Sequence, residues 1–269
     1  MLHAGTASLR PRGTHRHAKT LGKKRSAVAG SGPTAARCRV VISALLSRVP
    51  GRFSSELGLN LFAPRRRDLF LWFLAAVLYG ARISGAIVAR THAEFVRRGL
   101  TSPQTIVKTG WDGLVRALDA GGYTRYDFKT ATKLLEVMNH LLDQYGGDLK
   151  RLHDAAADAR DLETRLKSLG KGIGDVTVQI FLRELRDIWP KAQPTLSPLS
   201  ILAARDLALF STQRGERGRG TVDLLRILWR RSAVEGMRFS DSESALVRLG
   251  RDYCRRQRTQ ACPMREFCV

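Results

Sequence analysis

The sequence predicts an all-α protein, and three observations favour that fold class. Apolar residues recur at the three- to four-residue spacing of amphipathic helices, most clearly between residues 134 and 142. Helix start and stop signals separate these segments. No segment shows the strict alternation of apolar and polar residues that is typical of a strand.

The predicted helices follow one another with short connections. Pro103, which follows Thr101-Ser102, marks a helix start, and the glycine pairs at 121–122 and 146–147 mark helix ends. In chain order, the patterns predict helices over 40–48, 68–79 and 84–98, a helix that starts at 103, and helices over 111–120, 126–145 and 175–188. They also predict one or two short helices over 149–168 and further helices between 205 and 250. Aromatic residues are expected in the core.

The most apolar stretch is Leu69–Tyr79, with Asp68 before it and Arg82 after it. A helix that spans a bilayer needs roughly 20 apolar residues. This stretch is far shorter, so it predicts a buried helix and no transmembrane segment.

The charge of the chain is strongly basic. Its 269 residues hold 46 Lys and Arg against 24 Asp and Glu, a formal net charge of +22. This balance disfavours an ordinary neutral metabolic enzyme and puts polyanions first among the candidate partners. A hydrophobic fraction of 43% is that of a globular protein, so the charge belongs to a chain with a real core.

Residues 1–39 carry nine of the basic residues and no acidic one. They lack apolar periodicity, so the segment predicts a disordered basic tail. Three interpretations stay open: a non-specific nucleic-acid-binding arm, an inert extension or misassigned start, and an organellar transit peptide. The remaining 230 residues keep a net charge of +13.

The most informative motif is LKSLGKGIGDVT, residues 166–177. Gly172 and Gly174 flank Ile173 directly before a predicted helix that begins at Asp175. This pattern points several backbone amides and the positive end of the helix dipole at one spot, where a phosphate oxygen, with a bridging monovalent cation, is a natural occupant. A plain turn between two helices is the alternative, because such turns often contain glycine.

In its context the motif resembles the helix–hairpin–helix of the endonuclease III-like DNA glycosylase superfamily. The segments 69–100, TSPQTIVKTGWDGLVRAL and GGYTRYDFKTATKLLEVMNHLL resemble the helices that precede the hairpin in that family, so the likeness runs over 66–210. It implies a two-lobed fold, with a six-helix DNA-binding domain at 66–195 and a second domain made of 40–65 and 196–269. It also implies that DNA is bound by the hairpin residues Lys171, Gly172, Ile173, Gly174 and Thr177.

The carboxyl end carries a second resemblance. Family members commonly end with a C-x6-C-x2-C-x5-C motif that holds a [4Fe–4S] cluster, and Cys254, Cys262 and Cys268 match part of it. Thr259 stands where a further cysteine is expected. An incomplete cluster, a zinc or other metal site and a vestigial cysteine loop all remain possible. Four cysteines in 269 residues are too few for a disulfide framework.

Both catalytic positions of the family differ here. The lysine nucleophile of its bifunctional members aligns with Val176, and its essential aspartate aligns with Ser197. Valine cannot form a Schiff base. Ser197 is a good helix N-cap, with Pro198 at the first helical position. Asp187 and Asp206 are the nearest carboxylates in the sequence, and surface or salt-bridging roles are expected for both.

These observations predict a protein that binds duplex DNA through its backbone without the family's standard chemistry. The alternative is an active DNA glycosylase or abasic-site lyase with relocated catalytic residues. A monomer of the bacterial cytoplasm, associated with the nucleoid, is expected. Organellar targeting by the basic tail stays open.

Overall fold

A computed structural model describes residues 34–210 and 219–269. Within these ranges the secondary structure is helical, which confirms the predicted all-α class. Residues 1–33 of the predicted tail and residues 211–218 lie outside the described residues. The helices are α1 (Ala35–Arg48), α2 (Phe53–Glu56), α3 (Arg66–Tyr79), α4 (Gly85–Arg97), α5 (Pro103–Ala120), α6 (Asp127–Tyr145), α7 (Leu149–Ala155), α8 (Ala159–Ser168), α9 (Asp175–Arg183), α10 (Pro198–Asp206), α11 (Arg219–Ser232) and α12 (Phe239–Asp252).

Most helix boundaries follow the signals in the sequence. Ser102 caps α5 by accepting a hydrogen bond from the Thr105 amide at 3.2 Å, and Pro103 opens the helix. The break predicted at Gly110 is a kink inside α5, because Gly110 adopts a φ of +70°. Gly146 ends α6 in the left-handed conformation.

Two predicted boundaries are wrong. The tail was expected to extend to residue 39, but α1 begins at Ala35, because Thr34 caps it by accepting a hydrogen bond from the Arg37 amide and Cys38 is buried. The helix predicted over 175–188 ends at Arg183. Beyond it the chain tightens into turns, in which the amides of Leu185 and Ile188 bond to carbonyls three residues back.

The buried apolar side chains form two clusters. The first surrounds α3, whose residues from Leu69 to Leu78 are all buried, as predicted for this apolar run. The Trp72 indole N–H donates to the Phe181 carbonyl at 3.0 Å and ties α3 to α9. The second cluster joins α1, α10, α11 and α12. No helix in the described ranges is long and apolar enough to cross a bilayer.

Buried charges hold α2 and α12 against the turn that follows α9. Arg186, just after α9, donates two hydrogen bonds to the Glu243 carboxylate of α12, from Nε at 2.8 Å and from Nη2 at 3.1 Å. Both side chains are fully buried. Glu184 accepts the amides of Phe53 and Ser54 at 2.7 and 3.0 Å and so caps α2. A buried ion pair adds little net stability over an apolar pair, but the loss of one partner would leave an uncompensated buried charge.

The helices α10 and α12 cross at very close range at Gly250. A Cβ atom at this position would overlap the carbonyl oxygen of Leu199, which belongs to the rigid backbone of α10. The crossing therefore needs a residue without a side chain. Because Ser197 starts α10, the same contact fixes the helix that follows the hairpin region.

We expect the Gly250→Ala variant to lower the free energy of unfolding by about 1–3 kcal/mol, because the methyl group forces the two backbones apart. Urea denaturation monitored by circular dichroism measures this loss. Gly220→Ala is the matched control, since Gly220 is exposed in α11 with open space around it. That change should be neutral or stabilise the helix. Equal stability of Gly250→Ala and the wild type would contradict the close crossing.

Candidate nucleic-acid interface

The hairpin that connects α8 to α9 occupies residues 169–174. Gly172 has a φ of +90°, a conformation that glycine adopts without strain. Ile173 is buried beneath the turn, and its amide donates to the Gly170 carbonyl at 3.2 Å. The glycines on either side of it are exposed. One buried apolar side chain thus anchors the turn, and the backbone of its glycines is exposed to solvent.

The amides at the start of α9 are open. Gly174 is the N-cap residue and has no side chain that could cap the helix. The first bond of the helical ladder runs from the Val178 amide to the Gly174 carbonyl at 3.1 Å. The amides of Asp175, Val176 and Thr177 therefore precede the ladder and have no carbonyl partner within the helix. Together with the helix dipole they form a site that attracts an anion.

One face of α6 holds the hairpin in place. Glu136 accepts a hydrogen bond from the Lys171 amide at 2.8 Å, and His140 Nδ1 donates to the Leu169 carbonyl at 2.8 Å. Val137 lies against Gly170, where an added Cβ would stand 2.7 Å from its Cγ2. These residues share a helix face because they are spaced by three and four positions.

A lysine on the same face of α6, Lys133, lies against the hairpin. A Cβ at Gly172 would lie 2.9 Å from Lys133 Cε and 3.3 Å from its Nζ. Partial burial lowers the pKa of Lys133. The motif in the sequence does not contain this lysine, which is 39 positions upstream of Gly172. Only the packing of α6 on the hairpin reveals it.

The structure places the predicted DNA-binding residues in two groups. The side chain of Lys171 and the backbone of Gly172 and Gly174 are exposed, as a contact with DNA requires. The side chains of Ile173 and Thr177 are buried, so these two residues can offer DNA only their backbone. Thr177 faces α3, where only a glycine at position 80 leaves room for its hydroxyl. Thr177 can contribute only its amide.

The sequence resemblance predicted that Val176 and Ser197 stand at the family's catalytic positions, and the structure shows the surroundings of both. Val176 is 59% exposed at the tip of α9 and offers an apolar side chain. Ser197 caps α10 as predicted: its hydroxyl accepts from the Ser200 amide at 3.0 Å and lies 2.7 Å from the Ser200 hydroxyl. Asp187 accepts from the Ser240 amide at 3.0 Å, at the start of α12.

Two solved structures are similar to this chain over most of its length. One is a non-covalent endonuclease III–DNA complex, with a TM-score of 0.51 and 15% identity, which covers 88% of this chain and 95% of that one. The chain has the endonuclease III fold. The other is a trapped covalent intermediate of endonuclease III with DNA, an estranged-adenine complex, with a TM-score of 0.50, 15% identity and coverage of 88% and 96%. No family model and no curated protein matches the sequence.

The three cysteines that the sequence resemblance relates to a cluster, Cys254, Cys262 and Cys268, lie in the carboxyl-terminal turn. Among the described residues, no group of three or more His, Cys, Asp or Glu side chains is arranged to hold a metal ion. Burial and a hydrogen bond with Asp206 raise the pKa of Cys254, and burial also raises that of Cys268. Both effects favour the thiol over the thiolate.

The carboxyl-terminal turn is held by contacts of its own. Met264 is fully buried in the second apolar cluster. Arg48 of α1 donates to the Pro263 carbonyl at 3.0 Å and pairs with Glu266 at 2.8 Å, and Arg37 donates to the Phe267 carbonyl at 3.1 Å. These protein contacts fasten the turn to α1.

Proposed function

We propose that this chain binds duplex DNA through its phosphate backbone, with one phosphate held by the amides at the start of α9. The observation that carries the proposal is the open set of three amides behind an exposed glycine turn. A phosphate oxygen satisfies such amides and is stabilised by the helix dipole. A monovalent cation that bridges the hairpin to the phosphate belongs to the same proposal.

The charges around the hairpin support an anionic partner. Lys133 and Lys171 lie beside the glycine turn, and the chain as a whole carries a net charge of +22. Asp175 is the acidic residue in the first turn of α9, and its carboxylate pairs with Lys167 at 2.5 Å. Pairing reduces its repulsion of a phosphate. The similar solved structures are complexes of endonuclease III with DNA, which agrees with a DNA partner.

We further propose that the chain lacks the standard glycosylase and lyase chemistry of the family. Val176 offers no amine for a Schiff base. Ser197 has no carboxylate to stabilise a sugar cation, and its hydroxyl is engaged in capping α10. An active glycosylase would need other groups, and neither Asp187 nor Asp206 is free, since the first binds α12 and the second lies against Cys254.

We expect the Val176→Glu variant to bind duplex DNA about tenfold more weakly or worse, because its carboxylate would stand next to the bound phosphate. The stability of α9 should not decrease, since an acidic residue in the first turn of a helix is favourable. Fluorescence anisotropy with a labelled duplex measures the affinity. Val40→Glu is the matched control, because Val40 of α1 is 57% exposed, close to the 59% of Val176.

In the same assay, wild-type affinity should fall about a thousandfold between 50 and 200 mM salt if some six phosphates are contacted. A flat salt response, or equal losses in the two glutamate variants, would contradict binding through the hairpin.

We expect no covalent adduct when the protein is incubated with an abasic-site duplex and borohydride, because position 176 holds no lysine. We also expect no base release from a panel of duplexes with damaged or mismatched bases. Gel electrophoresis of the labelled strands reads out both reactions. A trapped adduct or a released base would support the alternative, an enzyme with relocated catalytic residues.

A further inference from the structure

A half-buried lysine of α6 lies on the hairpin without a counter-ion. The stem of Lys133 packs against Gly172, where an added Cβ would stand 2.9 Å from Cε and 3.3 Å from Nζ. Within residues 34–210 and 219–269, no carboxylate pairs with its ammonium, and burial alone lowers its pKa. A lysine normally extends its charge into solvent, because the loss of hydration costs free energy. The placement of this ammonium is therefore unfavourable until an anion joins it.

The contacts between α6 and the hairpin follow one another in order and fix where this lysine stands. Successive residues of one α6 row meet successive residues of the hairpin. The pairs are His140 with Leu169, Val137 with Gly170, Glu136 with Lys171, and Lys133 with Gly172. Spacings of three and four residues place the four α6 residues on one face of the helix. Lys133 makes the contact at the exposed glycine turn, so its ammonium lies where the hairpin backbone meets solvent.

The turn at Gly172 brings the lysine close to the open amides of α9. Gly172 has a φ of +90°, and the absence of a Cβ atom leaves room for the stem of Lys133. Gly174, the N-cap of α9, follows two residues later. Two residues of fully extended chain span at most about 7 Å. The ammonium and the start of α9 are therefore near enough to contact one strand of DNA together.

The other charges near this ammonium also favour an anion at the turn. Lys129, one turn earlier on the same row of α6, and Lys171 of the hairpin are both exposed. The neighbouring carboxylates have partners of their own: Glu136 accepts the Lys171 amide, and Asp175 pairs with Lys167. The charge at the turn therefore lacks a counter-ion from the described part of the chain. A DNA strand offers several phosphates in a row, which can meet the ammonium and the α9 amides at once.

We propose that Lys133 is a phosphate-binding residue of this interface, which holds a DNA phosphate over Gly172 beside the phosphate at the α9 amides. The inference rests on the proposed DNA-binding function and adds to it a side chain that lies outside the hairpin motif. The bound phosphate supplies the counter-ion that the ammonium lacks in the free protein. Removal of the charge should therefore weaken DNA binding without weakening the fold, whereas a residue that only orders the hairpin would lose both.

The test is the Lys133→Met variant, which keeps a long apolar stem and removes the charge. Fluorescence anisotropy with a labelled paired duplex should show binding about tenfold weaker than that of the wild type, because a charge-assisted contact with a phosphate is lost. The slope of log Kd against log salt concentration should decrease by about 0.9, the value for one phosphate contact. In urea denaturation the variant should be as stable as the wild type or more stable, because it no longer holds an ammonium out of water.

Two further variants separate a local contact from the general effect of net charge. Lys108→Met is the matched control, since Lys108 of α5 is exposed and belongs to neither the hairpin nor the α6 row. It removes the same charge and should change the affinity about twofold or less, because salt screens distant charges. Lys133→Arg keeps the positive charge and should keep most of the affinity and the salt slope of the wild type.

The outcomes separate this inference from the function on which it rests. If Val176→Glu weakens binding but Lys133→Met matches Lys108→Met in affinity and salt slope, Lys133 does not bind a phosphate and binding through the hairpin stands. A loss of stability in Lys133→Met that parallels its loss of affinity would assign the lysine to the fold and overturn the inference. If the wild type binds no duplex, both proposals are wrong.

Discussion

The hairpin can present open amides to a partner because α6 supplies the contacts that hold it. A helix that begins at a glycine has no side-chain cap, and its first amides need a partner from elsewhere. Glu136, Val137 and His140 fix the loop just before those amides without covering them. The amides of residues 175–177 stay free to bind an anion, and the packing of α6 on the hairpin holds this turn in place.

The contacts that order the hairpin use a backbone amide that could otherwise bind a phosphate. Glu136 takes the amide of Lys171, so this amide serves to order the loop and is lost to a phosphate. The carboxylate also adds negative charge next to an anion site. Lys133, one turn earlier on the same helix, offsets that charge at Gly172. The helix α6 thus contributes both the acidic group that orders the hairpin and a basic group that suits its ligand.

The local signals in the sequence predicted the parts of the fold that depend on neighbouring residues. Ser102 and Pro103 start α5, Gly110 kinks it, and Ser197 caps α10, because each effect involves residues only three or four positions apart. The start of α1 at Ala35 was not predicted. The basic composition of residues 1–39 indicated a disordered tail, and only the single cap at Thr34 indicated a helix. The glycine turn itself was predicted from its own spacing.

The contacts across the fold could not be predicted in this way. Nothing local shows that Thr177 faces Gly80 on α3 or that Lys133 lies against Gly172. Likewise, Trp111 and Phe128 were expected in the core but are 38% and 58% exposed, because their burial depends on how α5 packs on α6. The resemblance to a family pointed to the glycine turn at 169–174, but the partners of that turn are set by packing between helices far apart in the chain.

The claim that the amides before the α9 ladder bind a phosphate is tested most directly by amide chemical shifts. Isotope-labelled protein is titrated with a short paired duplex and followed by two-dimensional nuclear magnetic resonance. We expect the largest, saturable shifts at residues 172–177, and their reduction in Val176→Glu. Shifts confined to other basic surfaces, such as Arg230 and Arg231 of α11, with residues 172–177 unchanged, would contradict the claim.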